Sequence, residues 1–145
     1  MRALLFLFTV VAGAAGACQA AANAALAGRV GIGTALLINS LMVTAATVVL
    51  FFASGGGASS LVAATAAPWR HFIGGPCGFA IIVCLAYGFP RIGAALAVAL
   101  LVLGQGATAL AIDHFGLWGT PVTPISPVRL VGAALVAAGV LLLRR

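Results

Sequence analysis

The amino-acid sequence predicts an all-α integral membrane protein of five transmembrane helices, and three observations carry that reading. Hydrophobic residues make up 64% of the 145-residue chain and charged residues only 6%, against about 25% charged in an ordinary soluble domain. The stretch from Ile92 to Ile112 holds no charge, and at about 1.5 Å per residue it covers the roughly 30 Å hydrocarbon core of a bilayer. The length accommodates about five spans of about 20 residues joined by short connections. A single membrane domain over residues 1–145 follows, with spans at about 3–26, 30–52, 69–89, 91–113 and 128–143.

The formal charge of +6 comes from seven arginines against one aspartate, and the arginines are scattered along the chain. Nucleic-acid binding needs a continuous basic face, so it is disfavoured. Arginine at span ends instead anchors helices at the headgroups. Cys18, Cys77 and Cys84 are odd in number, lie within apolar segments and form no CxxC pair. They read as small packing residues, with neither a disulfide framework nor a metal site implied. No cofactor is expected.

The first helix follows Arg2. Its apolar run into Ala17 and Cys18 faintly resembles a signal peptide or lipoprotein box, but Ala15 stands where a bulky aliphatic residue is wanted and the run continues to Leu26, long enough to span. Gly16, Gln19 and Asn23 fall at spacings of three and four and share one face. That face suits either interhelical hydrogen bonding or the lining of a substrate path. A tight turn is expected at Gly28, Arg29 and Gly31. The second helix then carries Asn39 and Ser40 near its middle, among Thr34, Thr44 and Thr47. Threonines can bond back to their own helix, so Asn39 is the polar residue retained as a lining candidate.

Residues 54–67, with SGGGASS at the start and no charge, read as a flexible exposed loop. Pro68 and Trp69 are expected to open the third helix, the tryptophan at headgroup level beside Arg70 and His71. Gly74, Gly75, Pro76 and Gly78 crowd one region of it, which predicts a close neighbour and a kink. Gly88, Phe89 and Pro90 are expected to turn the chain into the fourth span. That span embeds one amide, Gln105, and ends at Asp113, His114 and Gly116. An intramembrane amide marks a helix-packing bond or a ligand pathway. Asp113, at the helix end, is expected to pair with an arginine or act as a cap. A proline-punctuated connection from Thr120 to Pro127 leads to a short last span that stops at Arg144 and Arg145.

PW, GG and G in PWRHFIGGPCG, then P-x-x-GAA, GQ and ID-x-FG, and finally R-x-x-GAAL-x-x-x-GV, together with Gln19 and Asn23, give the chain a resemblance to the YdcZ-like family of the drug/metabolite transporter superfamily. The resemblance covers essentially the whole chain. Arg70 stands where a second aromatic is common and Pro76 where a simple aliphatic is usual. The resemblance implies a five-helix unit equivalent to half of a ten-helix transporter, paired with a second unit in the opposite orientation.

Charge counting bears separately on that arrangement. With five spans, one side carries Arg2, Arg70 and Arg129 and the other Arg29, Arg91, Arg144 and Arg145, three against four. Positive-inside sorting needs an excess on one side. The chain therefore carries little instruction to choose an orientation, and dual insertion would permit an antiparallel homodimer. The expected function is that of a multi-pass transporter of the bacterial inner (cytoplasmic) membrane. It would move a small polar solute by alternating access, with Gln19, Asn23, Asn39 and Gln105 lining the path and Trp69, Gly74, Gly75 and Asp113 serving structure or interface. The expected partners are the lipid bilayer, an inverted copy of the chain and the small-molecule substrate.

Related small multidrug exporters carry a central glutamate on the first helix, and this chain has no buried carboxylate there. Neutral, zwitterionic or anionic solutes suit amide-lined walls better. A non-transporting membrane subunit, with the amides only holding helices together, is the alternative. An enzyme is not expected: one acid per chain forbids an aspartate pair, HExxH is missing, and no serine has an evident histidine partner at its depth.

Overall fold

Helix formation follows directly from composition, because in lipid the backbone must satisfy its own hydrogen bonds. The computed structural model describes residues 2–144, with side chains from residue 3 onward, and every regular element among them is helical. The helices are α1 (Arg2–Val30), α2 (Ile32–Ala53), α3 (Ala58–Ala64), α4 (Gly74–Ile92), α5 (Ala94–Phe115) and α6 (Pro127–Leu143), with 3-10 turns at Trp69–Ile73 and Leu117–Gly119. Four stretches are long and apolar enough to cross a membrane: Ala3–Val30, Ile32–Ala53, Trp69–Ile92 and Ala94–Phe115. α6 is apolar but shorter, at 17 residues. The chain falls into two compact units, Met1–Tyr87 and Gly88–Arg145. α1 packs on α2 in the first, and α5 packs on α6 in the second.

Two single glycines do what the sequence assigned to longer turns. α1 continues through Gly28 and Arg29, and the break comes at Gly31 alone, with φ 82° and ψ 154°. The backbone ladder still crosses it, since the Gly31 N–H donates to Ala27 O at 3.0 Å and Gly31 O accepts from Ala35 N–H at 3.1 Å. Pro90 likewise does not turn the chain. It sits in the last turn of α4, and the break falls at Gly93, with φ 81° and ψ 155°. Again the ladder crosses, through Phe89 O and Ala97 N–H, both at 3.1 Å. This corner of backbone space is essentially restricted to glycine, whereas proline is locked at a negative φ. The fourth residue after each joint, Ala35 and Ala97, is buried.

Residues 54–67 are not a flexible loop. Gly55, at φ 80°, caps α2: the Gly55 N–H donates to Phe52 O at 3.0 Å and the Gly56 N–H to Phe51 O at 2.8 Å, a pair of bonds that satisfies the last carbonyls of a helix. A Cβ on Gly56 would meet the Phe51 ring at 2.5 Å, so the glycine run is required by close approach. Ser60 then caps α3, its hydroxyl accepting the Gly57 N–H at 3.2 Å. Pro68 precedes the 3-10 turn rather than opening an α-helix, and α4 begins at Gly74. Pro76 therefore lies in the first turn of α4, where its missing N–H has no partner to lose, and the expected mid-helix weakness becomes a change from 3-10 to α geometry at the helix start.

Each unit buries little of its own surface. Ala20, Asn23, Ala35, Leu36 and Ala86 are buried in the first, and Phe89, Ala97 and Val140 in the second. Large apolar side chains such as Phe6, Phe8, Met42, Phe52 and Leu142 point outward. That pattern is proper to helices whose solvent is lipid or another helix.

Candidate functional site

Polar side chains gather in two places, one in each unit. In the first, the amide-bearing face of α1 lies against α2. Gln19 Nε2 donates to Asn39 Oδ1 at 3.2 Å, so two of the four candidate lining residues meet. This bond leaves Gln19 Oε1 and the Asn39 amide N–H groups available. Asn23, one turn further along α1, is 7% exposed. No side-chain hydrogen bond is made by Asn23 among the described residues, and no polar atom there is both sealed from the surface and without a partner. Its amide thus keeps a narrow opening at a nearly closed site. Buried amides without a partner are costly. Thr47 bonds back to Val43 O at 2.8 Å as threonine in a helix does.

In the second unit, the end of α5 is tied to the start of α6. Ser126 caps α6, accepting the Arg129 N–H at 3.4 Å, with Pro127 at the first helical position. That geometry aims Arg129 back at α5, where its guanidinium bonds Asp113 at 2.5 Å and Thr123 O at 3.1 Å. The Asp113 carbonyl accepts the Thr123 N–H at 2.8 Å. His114 Nδ1 accepts the Ile125 N–H at 3.3 Å; because a backbone amide can only donate, that ring nitrogen is unprotonated in this arrangement. Asp113 therefore holds an arginine and the connection together. Thr123 and Ser126 complete the latch, and neither was singled out from sequence; the S-P pair ahead of an apolar run was the signal for Ser126.

Gln105 lies on α5, exposed, with no side-chain hydrogen bond among the described residues. Trp69 is 78% exposed in the 3-10 turn. Nothing among the described residues comes within 4 Å of a Cβ built at Gly74 or Gly75, so the close neighbour expected there is not supplied by them. Among the described residues no cluster of histidine, cysteine or acid could hold a metal. Arg70 and Arg91 are described with partners, while Arg145 and the side chain of Arg2, both used in the charge count, lie outside the described residues.

A family model described as "Putative inner membrane exporter, YdcZ" matches residues 4–142. No curated protein and no solved structure matches the chain.

Proposed function

Because this chain belongs to the YdcZ family of inner membrane exporters, we propose that it carries a small polar solute across the membrane of a bacterium by alternating access, as an antiparallel homodimer. The four long apolar stretches and the shorter α6 all cross in this reading. α6, at about 25 Å, is near the lower limit for a span. The observation that carries the proposal is Asn23: a nearly buried amide on α1, which packs on α2, with no side-chain hydrogen bond among the described residues and one turn from Gln19 of the Gln19–Asn39 bond. Such a group binds a solute's donors and acceptors in place of water. The scarcity of buried side chains supports a partner, since so little of each unit's apolar surface is covered from within. Gln105, exposed and uncommitted, is assigned to the same path from the inverted chain.

Asn23→Leu fills the opening and removes both polar atoms. The expected outcome is loss of solute-dependent thermal stabilisation and of flux in proteoliposomes, while the ligand-free protein melts as the parent or higher. A screen of neutral, zwitterionic and anionic metabolites supplies the solute. Unchanged flux in Asn23→Leu would remove this amide from the path.

The second reading, a membrane subunit that transports nothing, draws on the Gln19–Asn39 bond, which by itself is an adequate helix-packing device. It predicts that Gln19→Leu lowers the melting temperature and that no solute in the screen raises it.

A further inference from the structure

α5 and α6 do not close on one another along their whole length. A cleft of about 230 Å³ runs between them, walled by Val102, Gly106 and Leu110 on α5 and by Gly132 and Val136 on α6, with Arg129 at one end. From Leu110 to Val102 it extends about 12 Å along the helix. Gly106 and Gly132 line it without side chains, and a Cβ built at either meets nothing within 4 Å. The walls are apolar apart from Arg129, which sits in the first turn of α6 and is bonded to Asp113, about one turn beyond Leu110 on α5. The cleft therefore starts where helices end, and with α5 and α6 both crossing as proposed it opens at headgroup level and runs inward at hydrocarbon depth.

At its mouth stand two opposite charges that stay reachable. The side chains of Arg129 and Asp113 are 31% and 36% exposed. The bonds to Asp113 and Thr123 account for two donors of a guanidinium that carries five, and a carboxylate can accept more than the one bond it receives here. A phosphate is matched by the free edge of the guanidinium. A primary ammonium is matched by the second carboxylate oxygen. A quaternary ammonium has no N–H to give, and a purely anionic head would meet Asp113 as a like charge.

We propose that the α5–α6 cleft is a binding site for an acyl chain of a bilayer phospholipid whose headgroup carries a phosphate and a primary ammonium, the phosphate on Arg129 and the ammonium on Asp113. Depth, shape and charge order agree on this occupant. The site lies within the second unit of one chain, uses none of the lining amides and does not depend on transport.

The test uses the full-length protein, delipidated in mild detergent, with phosphatidylethanolamine, phosphatidylcholine and phosphatidylglycerol of identical chains. Retained lipid is counted by native mass spectrometry and melting temperature is followed in parallel. Phosphatidylethanolamine should be retained best and raise the melting temperature by several degrees. Gly132→Leu, which fills open space, should abolish both effects while leaving lipid-free melting intact; Gly106→Leu fills the same cleft from the other wall and serves where the first variant melts early. Asp113→Asn should erase the preference for ethanolamine over choline headgroups. Equal retention of the ethanolamine and choline lipids by the parent protein overturns the proposal. So does full retention in both glycine variants. Strongest retention of phosphatidylglycerol, abolished by salt, overturns it too, because the chain's net charge of +6 alone then accounts for the effect.

Discussion

Asp113 is the only acid in the chain, and it is bonded both to α6 and to the connection before it. Arg129 reaches it from α6, and its own carbonyl anchors Thr123 in the connection between the two helices. A pair about two-thirds buried is worth more than a surface contact, yet solvent screening still limits it, so Asp113→Asn should cost about 1 kcal/mol. The expected outcome is a lower midpoint in denaturant or heat with transport preference unchanged; abolished flux in a folded, dimeric variant would make Asp113 a coupling residue instead. The pairing role was legible in the sequence, because a lone carboxylate at a helix end among arginines has few alternatives. Its partner was not, since that depends on how Thr120–Pro127 folds back. Gln19 and Asn39 show the same division. Both stood out as intramembrane amides, but their meeting depends on the register in which α1 lies against α2, and nothing local in either helix encodes that.

At the level of elements, Arg29-Val30-Gly31 and Arg91-Ile92-Gly93 build the same device twice. Each glycine holds a conformation with φ near 80° and ψ near 155°, and each joins two helices without spending a further residue. Gly31→Ala and Gly93→Ala should therefore each cost about 1–3 kcal/mol, read as a fall in melting temperature. Gly33→Ala, which has open space at the Cβ and no positive φ, should be neutral or better. If Gly31→Ala and Gly33→Ala melt together, the joint is not strained in the way described. Sequence reading found the four long apolar stretches because their composition is unmistakable, and it misplaced their ends for identifiable reasons. A one-residue joint leaves no polar run to mark it. Pro90, a strong punctuation mark, is tolerated in the final turn of α4. The Ser54–Gly57 run carries the composition of a linker, yet Gly55 and Gly56 are fixed by two backbone bonds and by the Phe51 ring.

For the whole molecule, membership in an exporter family and the helical membrane class were both legible from composition and motif order, whereas the pairing of chains lies beyond what one chain's residues specify. The near-even arginine count predicts insertion in both orientations. Carboxy-terminal reporters active only inside, and others active only outside, should both give signal, and adding two arginines to one side should shift the balance; a single fixed orientation of the parent chain would rule out the inverted pair. In a background lacking Cys18, Cys77 and Cys84, cysteines at Gln19 and Gln105 on separately tagged chains should crosslink between chains if the two share a path. The glycine joints have one more consequence. If five helices cross as proposed, both one-residue joints fall on one side of the membrane and the longer connections, residues 54–73 and 116–126, on the other. A small-residue protease added outside sealed vesicles should then sever only molecules whose longer connections face it, and the uncut fraction becomes a census of how the population is pointed, taken without any tag.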